Sequence, residues 1–264
     1  MERTALWAAG EVYEPYVGRW SRLVARAFVD WLAVPDGKDW VDVGCGTGAV
    51  SQTVLDRANP RSVMGVDPSP GFVDYARAHV GGGRASFEVG DARALPIEAA
   101  SRDAAVSGLV LNFVPEPARA AAEMARVVRP GGVVAAYVWD YTGKMELMRY
   151  FWDAAVALDP AARELDEGPR FPICQPGPLS ELFAAAGLRG VEVRAIDVPT
   201  VFRDFDDYWS PFLGGQAPAP AYAMSLSEAR RDALRDRIRS HLPIGRDGTI
   251  SLIARAWAAR GRVA

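Results

Sequence analysis

The stretch VDVGCGTGAV, residues 41–50, decides the fold of this 264-residue chain. A short apolar run leads into three alternating glycines, Gly44, Gly46 and Gly48. Glycines at this density let a backbone turn tightly and approach a ligand closely. With Ala49, the turn also fits the G-x-G-x-x-G/A pattern of dinucleotide-binding folds, which by itself is weak evidence. The stretch therefore predicts a ligand site between a strand and a helix.

Strand and helix patterns alternate on either side of this turn. A helix is predicted over residues 21–34. The predicted strands are 39–44, 62–67, 85–91, part of 102–111 and 133–140, and the helices between them are 49–58, 70–80 and 115–132. Apolar strands with short connections indicate a parallel sheet with helices on both faces. Ligands of such sheets bind beyond the carboxyl ends of the strands, where the strand order reverses.

The pattern loosens after Asp140, where proline and glycine become frequent. The predicted elements are helices at 145–158, 178–188, 204–213 and 226–242, strands at 191–202 and 248–259, and loops at 166–178 and 214–223.

Composition excludes several classes of protein. The net charge of −3 argues against a nucleic-acid-binding surface. Cys45 and Cys174 cannot build a disulfide framework, and with only His79 and His241 to join them we expect no metal site. No segment approaches the roughly 20 apolar residues of a membrane helix, and the first residues do not resemble a signal peptide. We therefore expect a soluble, cytoplasmic protein without a membrane or nucleic-acid partner.

An aspartate lies at or near the carboxyl end of each of the first three predicted strands. Asp67 ends the second strand, where an acid binds ribose hydroxyls in many nucleoside-binding folds. Asp42 lies two residues before Gly44, and a pyrophosphate on the following helix would have little use for a carboxylate there. Asp91 ends the third strand, where it can accept a hydrogen bond from an amine such as adenine N6. Together these acids favour an adenosine-containing cofactor other than a dinucleotide.

Four stretches carry a family resemblance: VDVGCGTGAV, GVDPSPGFVDYAR, GDARALPI and MARVVRPGGVVAAYVW. As a set they closely resemble the class I S-adenosylmethionine-dependent methyltransferases, and in particular the small-molecule branch that includes ubiquinone and menaquinone methyltransferases. The resemblance spans about residues 41–139, and DGTISLIARAWAARG, residues 247–261, also looks like that group. It implies S-adenosylmethionine as cofactor and a Rossmann-like, doubly wound α/β sheet of seven strands, mostly parallel with an antiparallel last strand.

The resemblance also implies roles for individual residues. The glycine turn would pass beneath the methionine part of the cofactor, with Gly108 beside it. Asp67 would bind the ribose hydroxyls, and Pro68 would place an apolar ring against the adenine. Asp91, with the backbone of Ala92, would read the adenine.

The first residues and the irregular segments complete the predicted organisation. We expect a helical lid over 1–36 and a methyltransferase domain over 37–264, with cap insertions at about 141–175 and 203–245. In the lid, Arg19 would pair with the cofactor carboxylate as a guanidinium does well, with Tyr16 nearby; the alternative is a solvated arginine at a helix start.

Residues beyond the fourth and fifth strands are the candidates for catalysis. Asn112 can orient a substrate but cannot remove a proton. Asp140 and Tyr141 are better placed for proton transfer, although Asp140 can equally cap the next turn. We therefore expect catalysis mainly by proximity and in-line orientation.

The acceptor is not specified by any motif. Many aromatic residues in the cap segments suggest an apolar pocket for a small aromatic or prenyl-like metabolite, or simply a core. The alternatives are an NAD(P)-dependent oxidoreductase and a non-catalytic cofactor-binding subunit that docks a partner through the arginine-rich helix at 226–242. We expect a monomer or homodimer.

Overall fold

A computed structural model describes residues 19–214 and 217–264. Its seven strands form one sheet in the order β3-β2-β1-β4-β5-β7-β6. The strands are β1 Asp39–Val43, β2 Ser62–Asp67, β3 Ala85–Val89, β4 Arg102–Gly108, β5 Val128–Trp139, β6 Arg189–Phe202 and β7 Ile250–Arg262. The α-helices are α1 Arg19–Leu32, α2 Ala49–Arg57, α3 Pro70–His79, α4 Pro117–Val127, α5 Glu146–Leu158, α6 Glu167–Arg170, α7 Pro176–Ala185, α8 Phe205–Trp209, α9 Pro218–Ser225 and α10 Glu228–His241.

The pairing of the strands confirms the predicted sheet. β1 lies between β2 and β4 and is parallel to both, and the β2–β3 and β4–β5 pairs are also parallel. β7 runs antiparallel to β5. All five residues of β1 are buried, as expected for a strand that is covered on both faces. The strand order reverses between β1 and β4, so a ligand is expected beyond the carboxyl ends of these two strands.

The Pro-Gly-Gly segment differs from the prediction. A helix with a Pro-Gly-Gly exit was expected over 115–132, but α4 already ends at Val127 and the Pro-Gly-Gly residues belong to β5, which begins at the next residue. Proline lacks an N–H and disfavours helical geometry in the residue before it, which stops the helix early. Arg102 pairs with Val128 and Ala104 with Val133, so the extra residues bulge out of the β4–β5 ladder. Gly131 has a φ of 78° within this bulge.

A second difference lies in the predicted loop at 214–223. Residues from Pro218 onward form α9, with proline in the first turn. Proline has a fixed φ that suits a helix start and lacks only an N–H that would be unsatisfied there. The density of proline therefore marks the beginning of a helix here.

The chain divides into two compact units. We call residues 22–139, 173–196 and 256–264 the sheet unit, and residues 140–172 and 197–255 the aromatic unit, which also takes in residues 19–21. The predicted lid at 1–36 and the cap insertions at 141–175 and 203–245 stay predictions.

The aromatic unit has a core of stacked rings. Phe151 stacks on Phe212 with centroids 4.5 Å apart and meets Trp152 edge-on at 5.2 Å. The Tyr208 hydroxyl donates to the Leu147 carbonyl at 2.8 Å. The four rings are fully buried, so they fill the interior of this unit. Of the two alternatives for the aromatic residues, these four form a core and do not line a pocket.

No helix within 19–214 or 217–264 is long and apolar enough to cross a bilayer.

Candidate cofactor site

The carboxyl ends of β1, β2 and β3 are tied together by backbone hydrogen bonds. In the turn after β1, the N–H groups of Gly44 and Cys45 both donate to the Val66 carbonyl, at 2.7 and 3.1 Å. After β3, Gly90 N–H donates to the Asp67 carbonyl at 3.1 Å. The structure therefore brings the glycine turn and the acidic strand ends to one edge of the sheet unit.

The three glycines of the turn have different reasons to be glycine. Their φ angles are 74°, 51° and 89° for Gly44, Gly46 and Gly48, all in the left-handed region. A Cβ on Gly44 would lie 2.4 Å from Val110 Cγ1, and one on Gly48 would lie 2.4 Å from Val80 Cγ2. A Cβ on Gly46 would meet nothing within 4 Å. Gly44 and Gly48 are therefore needed for packing, whereas Gly46 borders open space that a ligand can use.

Asp67 is fixed against this turn. Its Oδ2 accepts the Gly46 N–H at 2.9 Å, and its Oδ1 accepts the Ser69 N–H at 2.9 Å. The residue is 7% exposed, and burial raises the pKa of its carboxyl despite these two N–H donors. Each carboxylate oxygen can accept a second hydrogen bond, so Asp67 keeps capacity for hydroxyl donors.

Asp42 lies fully buried at the end of β1. Its Oδ2 accepts the Ser51 hydroxyl at 2.8 Å, while its Oδ1 has no hydrogen-bond partner among the described residues. Burial raises the pKa of Asp42 to about 7, against the opposing effect of Ser51. Buried polar atoms are nearly always paired, so an unpaired oxygen here indicates a group that binds to it. The sequence pattern missed Ser51, which faces Asp42 from the first turn of α2.

Asp91 is held by an arginine that the sequence analysis also missed. Arg93 Nη2 donates to Asp91 Oδ2 at 2.6 Å, and Arg93 Nη1 donates to Glu116 Oε2 at 3.1 Å. The guanidinium lowers the pKa of Asp91. Ala92, between them, is buried. Only the position of Arg93, two residues after a predicted ligand-binding acid, could have pointed to it.

The end of β4 is crowded and strained. A Cβ on Gly108 would lie 2.7 Å from the Tyr137 hydroxyl oxygen, which explains the glycine. The next residue, Leu109, has a φ of 62°, which is rare for a residue with a side chain. Asn112 is 9% exposed, and its Nδ2 has no partner within the described part of the chain. Backbone strain and unpaired polar groups cluster at functional sites.

Two predicted catalytic residues belong to the aromatic unit. Asp140 Oδ2 accepts the Lys144 N–H at 3.0 Å, and Oδ1 accepts the Thr142 hydroxyl at 3.3 Å, so its carboxylate caps the turn that follows β5. Tyr141 is buried with its ring 5.9 Å from that of Phe171. The capping interpretation of Asp140 is what its contacts show, and proton transfer by either residue stays a prediction.

The roles predicted for three further cofactor residues stay predictions. Tyr16 and the side chain of Arg19 lie outside the described residues. Pro68 follows Asp67 and is exposed.

Comparison with known proteins shows which family this edge of the sheet resembles. Residues 41–136 match the family model described as a methyltransferase domain. The matched segment is a class I methyltransferase domain. The matched residues run from the glycine turn through β4 to the middle of β5, which are the elements that build the edge described above.

Two curated relatives match this part of the chain, and a solved structure shares the fold. The chain is 35% identical over 125 residues to a malonyl-[acyl-carrier protein] O-methyltransferase of Hahella chejuensis, covering 47% of this chain and 44% of that protein. It is 39% identical over 114 residues to a demethylmenaquinone methyltransferase of Renibacterium salmoninarum, covering 43% and 45%. A phosphoethanolamine N-methyltransferase 2 of Haemonchus contortus, solved with S-adenosyl-L-methionine, shares the fold with a TM-score of 0.60, 16% identity, and coverage of 99% of this chain and 57% of that one.

The matched segment spans less than half the length of these curated relatives. Their names give different acceptors, so the methyltransferase domain is common to them while the acceptor is not.

Proposed function

We propose that this chain transfers the methyl group of S-adenosylmethionine to a small, aromatic or otherwise apolar metabolite. The observation that carries the proposal is the open space beside Gly46, bordered by the Asp67 carboxylate. Asp42, two residues before Gly44, has an Oδ1 without a hydrogen-bond partner among the described residues. A cofactor that combines a positively charged group with ribose hydroxyls fits this donor and acceptor set.

The roles of the residues follow from their chemistry. The glycine turn would hold the methionine part, because it presents backbone without side chains. Asp67 would accept hydrogen bonds from the ribose hydroxyls, and Asp91 would accept one from the adenine amine. When bound, S-adenosylmethionine supplies a methyl group already activated by a positively charged sulfur.

Charge favours this cofactor over a dinucleotide. Asp42 and Asp67 place two carboxyl groups beside the turn, both more than nine-tenths buried. When these carboxyl groups are ionised, a pyrophosphate at the start of α2 would approach them with like charge, which is unfavourable in a partly desolvated site. An ammonium or sulfonium would gain from them. The arrangement therefore argues against the NAD(P)-dependent oxidoreductase.

Positioning would supply most of the rate. Asn112 can donate or accept a hydrogen bond but cannot take a proton, and the Asp140 carboxylate is held in place by the turn after β5. Holding donor and acceptor in line can contribute about 7–11 kcal/mol by itself. An acceptor that ionises easily suits such a site, and the unpaired Asn112 amide would orient it or the cofactor.

Cofactor binding is the direct test. We expect S-adenosylhomocysteine to raise the Tm of the chain and to give a measurable Kd by calorimetry, and NAD⁺ to do neither, because only a ligand of the folded state stabilises it. Asp67→Asn should weaken S-adenosylhomocysteine binding about tenfold, the loss of a hydrogen bond to a charged group. Asp74→Asn, which changes an exposed acid on α3, is the matched control.

Stabilisation by NAD⁺ and not by S-adenosylhomocysteine would reject the proposal. Suppose instead that the chain binds S-adenosylmethionine but forms no S-adenosylhomocysteine with any small aromatic acceptor, quinone or carboxylic acid. That result would favour the non-catalytic subunit.

A further inference from the structure

Arg93 uses every nitrogen of its guanidinium. Nε lies 3.0 and 3.1 Å from the two carboxylate oxygens of Asp91, and Nη2 lies 2.6 Å from Oδ2. Nη1 reaches across to Glu116, the residue that precedes α4, at 3.1 Å. The side chain therefore links the turn after β3 to the start of α4, and it grips the carboxylate along one edge.

The other edge of the Asp91 carboxylate stays open. The Asp91 side chain is 45% exposed although it is held by Arg93. A carboxylate has about four acceptor positions, and the Arg93 backbone N–H takes one more at Oδ1, at 2.8 Å. An arginine fork fixes the plane of a carboxylate as well as its position. Three N–H groups of Arg93 therefore occupy about three of these positions, and Asp91 presents the remaining one in a fixed direction.

We infer that Arg93 is a positioning residue that aims the Asp91 carboxylate at position 6 of the purine and thereby sets the preference for adenine. The inference rests on the proposed function, in which Asp91 faces the base. Adenine carries an amine donor at position 6, whereas hypoxanthine carries an oxygen acceptor there. A carboxylate that cannot turn away binds the first and repels the second.

Removal of Arg93 would let the carboxylate rotate into solvent. The hydrogen bond to adenine would then require ordering of the side chain on binding, and repulsion of the hypoxanthine oxygen would be relieved. Both effects lower the preference for adenine. A residue that only stabilised the loop would change the binding of the two bases equally.

Arg119 offers a matched control. It lines the same open groove as Arg93, of about 460 Å³. Its backbone N–H donates to the Glu116 carbonyl at 3.0 Å, but its side chain makes no hydrogen bond or ion pair within the described part of the chain. Its charge acts on Asp91 only at a distance. Arg119→Gln removes a positive charge next to the site without releasing the carboxylate.

The experiment is a calorimetric comparison of S-adenosylhomocysteine with its deaminated analogue, S-inosylhomocysteine. We expect Arg93→Gln to lower the ratio of the two affinities about tenfold, the value of one ordinary hydrogen bond. Arg93→Lys, which keeps the charge but not the fork, should lower it by a smaller factor, and Glu116→Gln by less again. Arg119→Gln should leave the ratio unchanged. If Arg93→Gln fails to fold, Arg93→Lys carries the same test.

The outcomes separate this inference from the proposed function. If the unmodified chain binds neither nucleoside, the proposed function falls. If it binds S-adenosylhomocysteine and the ratio is the same with and without Arg93, the positioning role alone is rejected. A ratio that rises on removal of Arg93 would also reject it, because Arg93 would then be donating to the position-6 oxygen itself.

Discussion

Two buried carboxyl groups, one in each unit, show how burial differs from readiness to bind. Burial raises the pKa of Asp42 in the sheet unit and of Glu167 in the aromatic unit to about 7. Glu167 is 3% exposed and accepts the indole N–H of Trp152 at its Oε2. Asp42 leaves one oxygen without a partner in the described structure, next to a turn that borders open space. The unpaired atom and the open space at Gly46, more than the shifted pKa, distinguish a ligand site from a core.

The first test of this distinction adds a side chain to the glycine turn that follows Asp42. Gly44→Ala should destabilise the fold by about 3–5 kcal/mol, since it combines a left-handed φ with a clash against Val110. Gly46→Ala should cost only about 1 kcal/mol, the backbone term alone, because its Cβ meets no described atom. Urea unfolding measures both.

Ligand binding should reverse the order of importance. Gly46→Ala places a methyl group where the cofactor is proposed to lie, so its affinity for S-adenosylhomocysteine should fall at least about tenfold, or 1.4 kcal/mol. An unchanged Kd in a folded Gly46→Ala chain would show that the open space is not the cofactor site.

The two carboxyl groups themselves supply the second test. The pKa of Glu167 in the folded chain lies above the ordinary glutamate value of 4.5, so the stability it contributes is complete at low pH and is lost as pH rises from about 4.5 to 7. Glu167→Gln keeps the shape and stays neutral. As pH rises from 5 to 8, the free energy of unfolding of this variant should increase by about 2–3 kcal/mol relative to the unmodified chain. Urea unfolding at each pH measures the difference.

Asp42→Asn is the counterpart in the sheet unit. Asn cannot offer a charged acceptor to the cofactor amine, so the affinity for S-adenosylhomocysteine at pH 8 should fall about tenfold. Glu167→Gln should not change it. Equal losses of affinity in both variants would contradict the distinction between a paired and an unpaired carboxyl group.

The smallest effects are expected at two unpaired neutral groups. Thr200 in the aromatic unit is 1% exposed, and its hydroxyl has no partner within the described residues, so Thr200→Val should stabilise the fold by about 1 kcal/mol. Asn112→Leu should be similarly neutral or stabilising but should lower methyl transfer. A fall in activity for Thr200→Val as large as for Asn112→Leu would remove the distinction between them.

The sheet unit could be predicted because its signals are local. The sequence shows these signals one after another: apolar runs for the strands, the glycines at 44, 46 and 48, and acids at the strand ends. Parallel pairing then brings strand ends that are distant in sequence to one edge. Ser62–Asp67 agrees at both ends with the predicted second strand, because a charged or polar residue bounds an apolar run on each side.

The remainder could not be predicted because it depends on contacts that no local pattern encodes. Ser51 matters through one hydroxyl beneath Asp42, and Arg93 through a fork whose third nitrogen reaches Glu116. Leu109 has a left-handed backbone conformation that is usually predicted only at glycine, so the sequence gives no sign of it. In the aromatic unit, ring spacing alone could not separate a core from a pocket, and the packed Phe151–Phe212 stack decided it for those rings.

The position of β7 has a consequence for biosynthesis. β7 lies between β5 and β6 in the sheet but follows both in the chain. While a ribosome is still making residues 203–249, β5 has an unprotected edge and β6 has no neighbour to join. Such edges invite pairing with other nascent chains. β7 therefore joins β5 to β6 only after both have been made, and shielding of the β5 edge until then would limit such pairing.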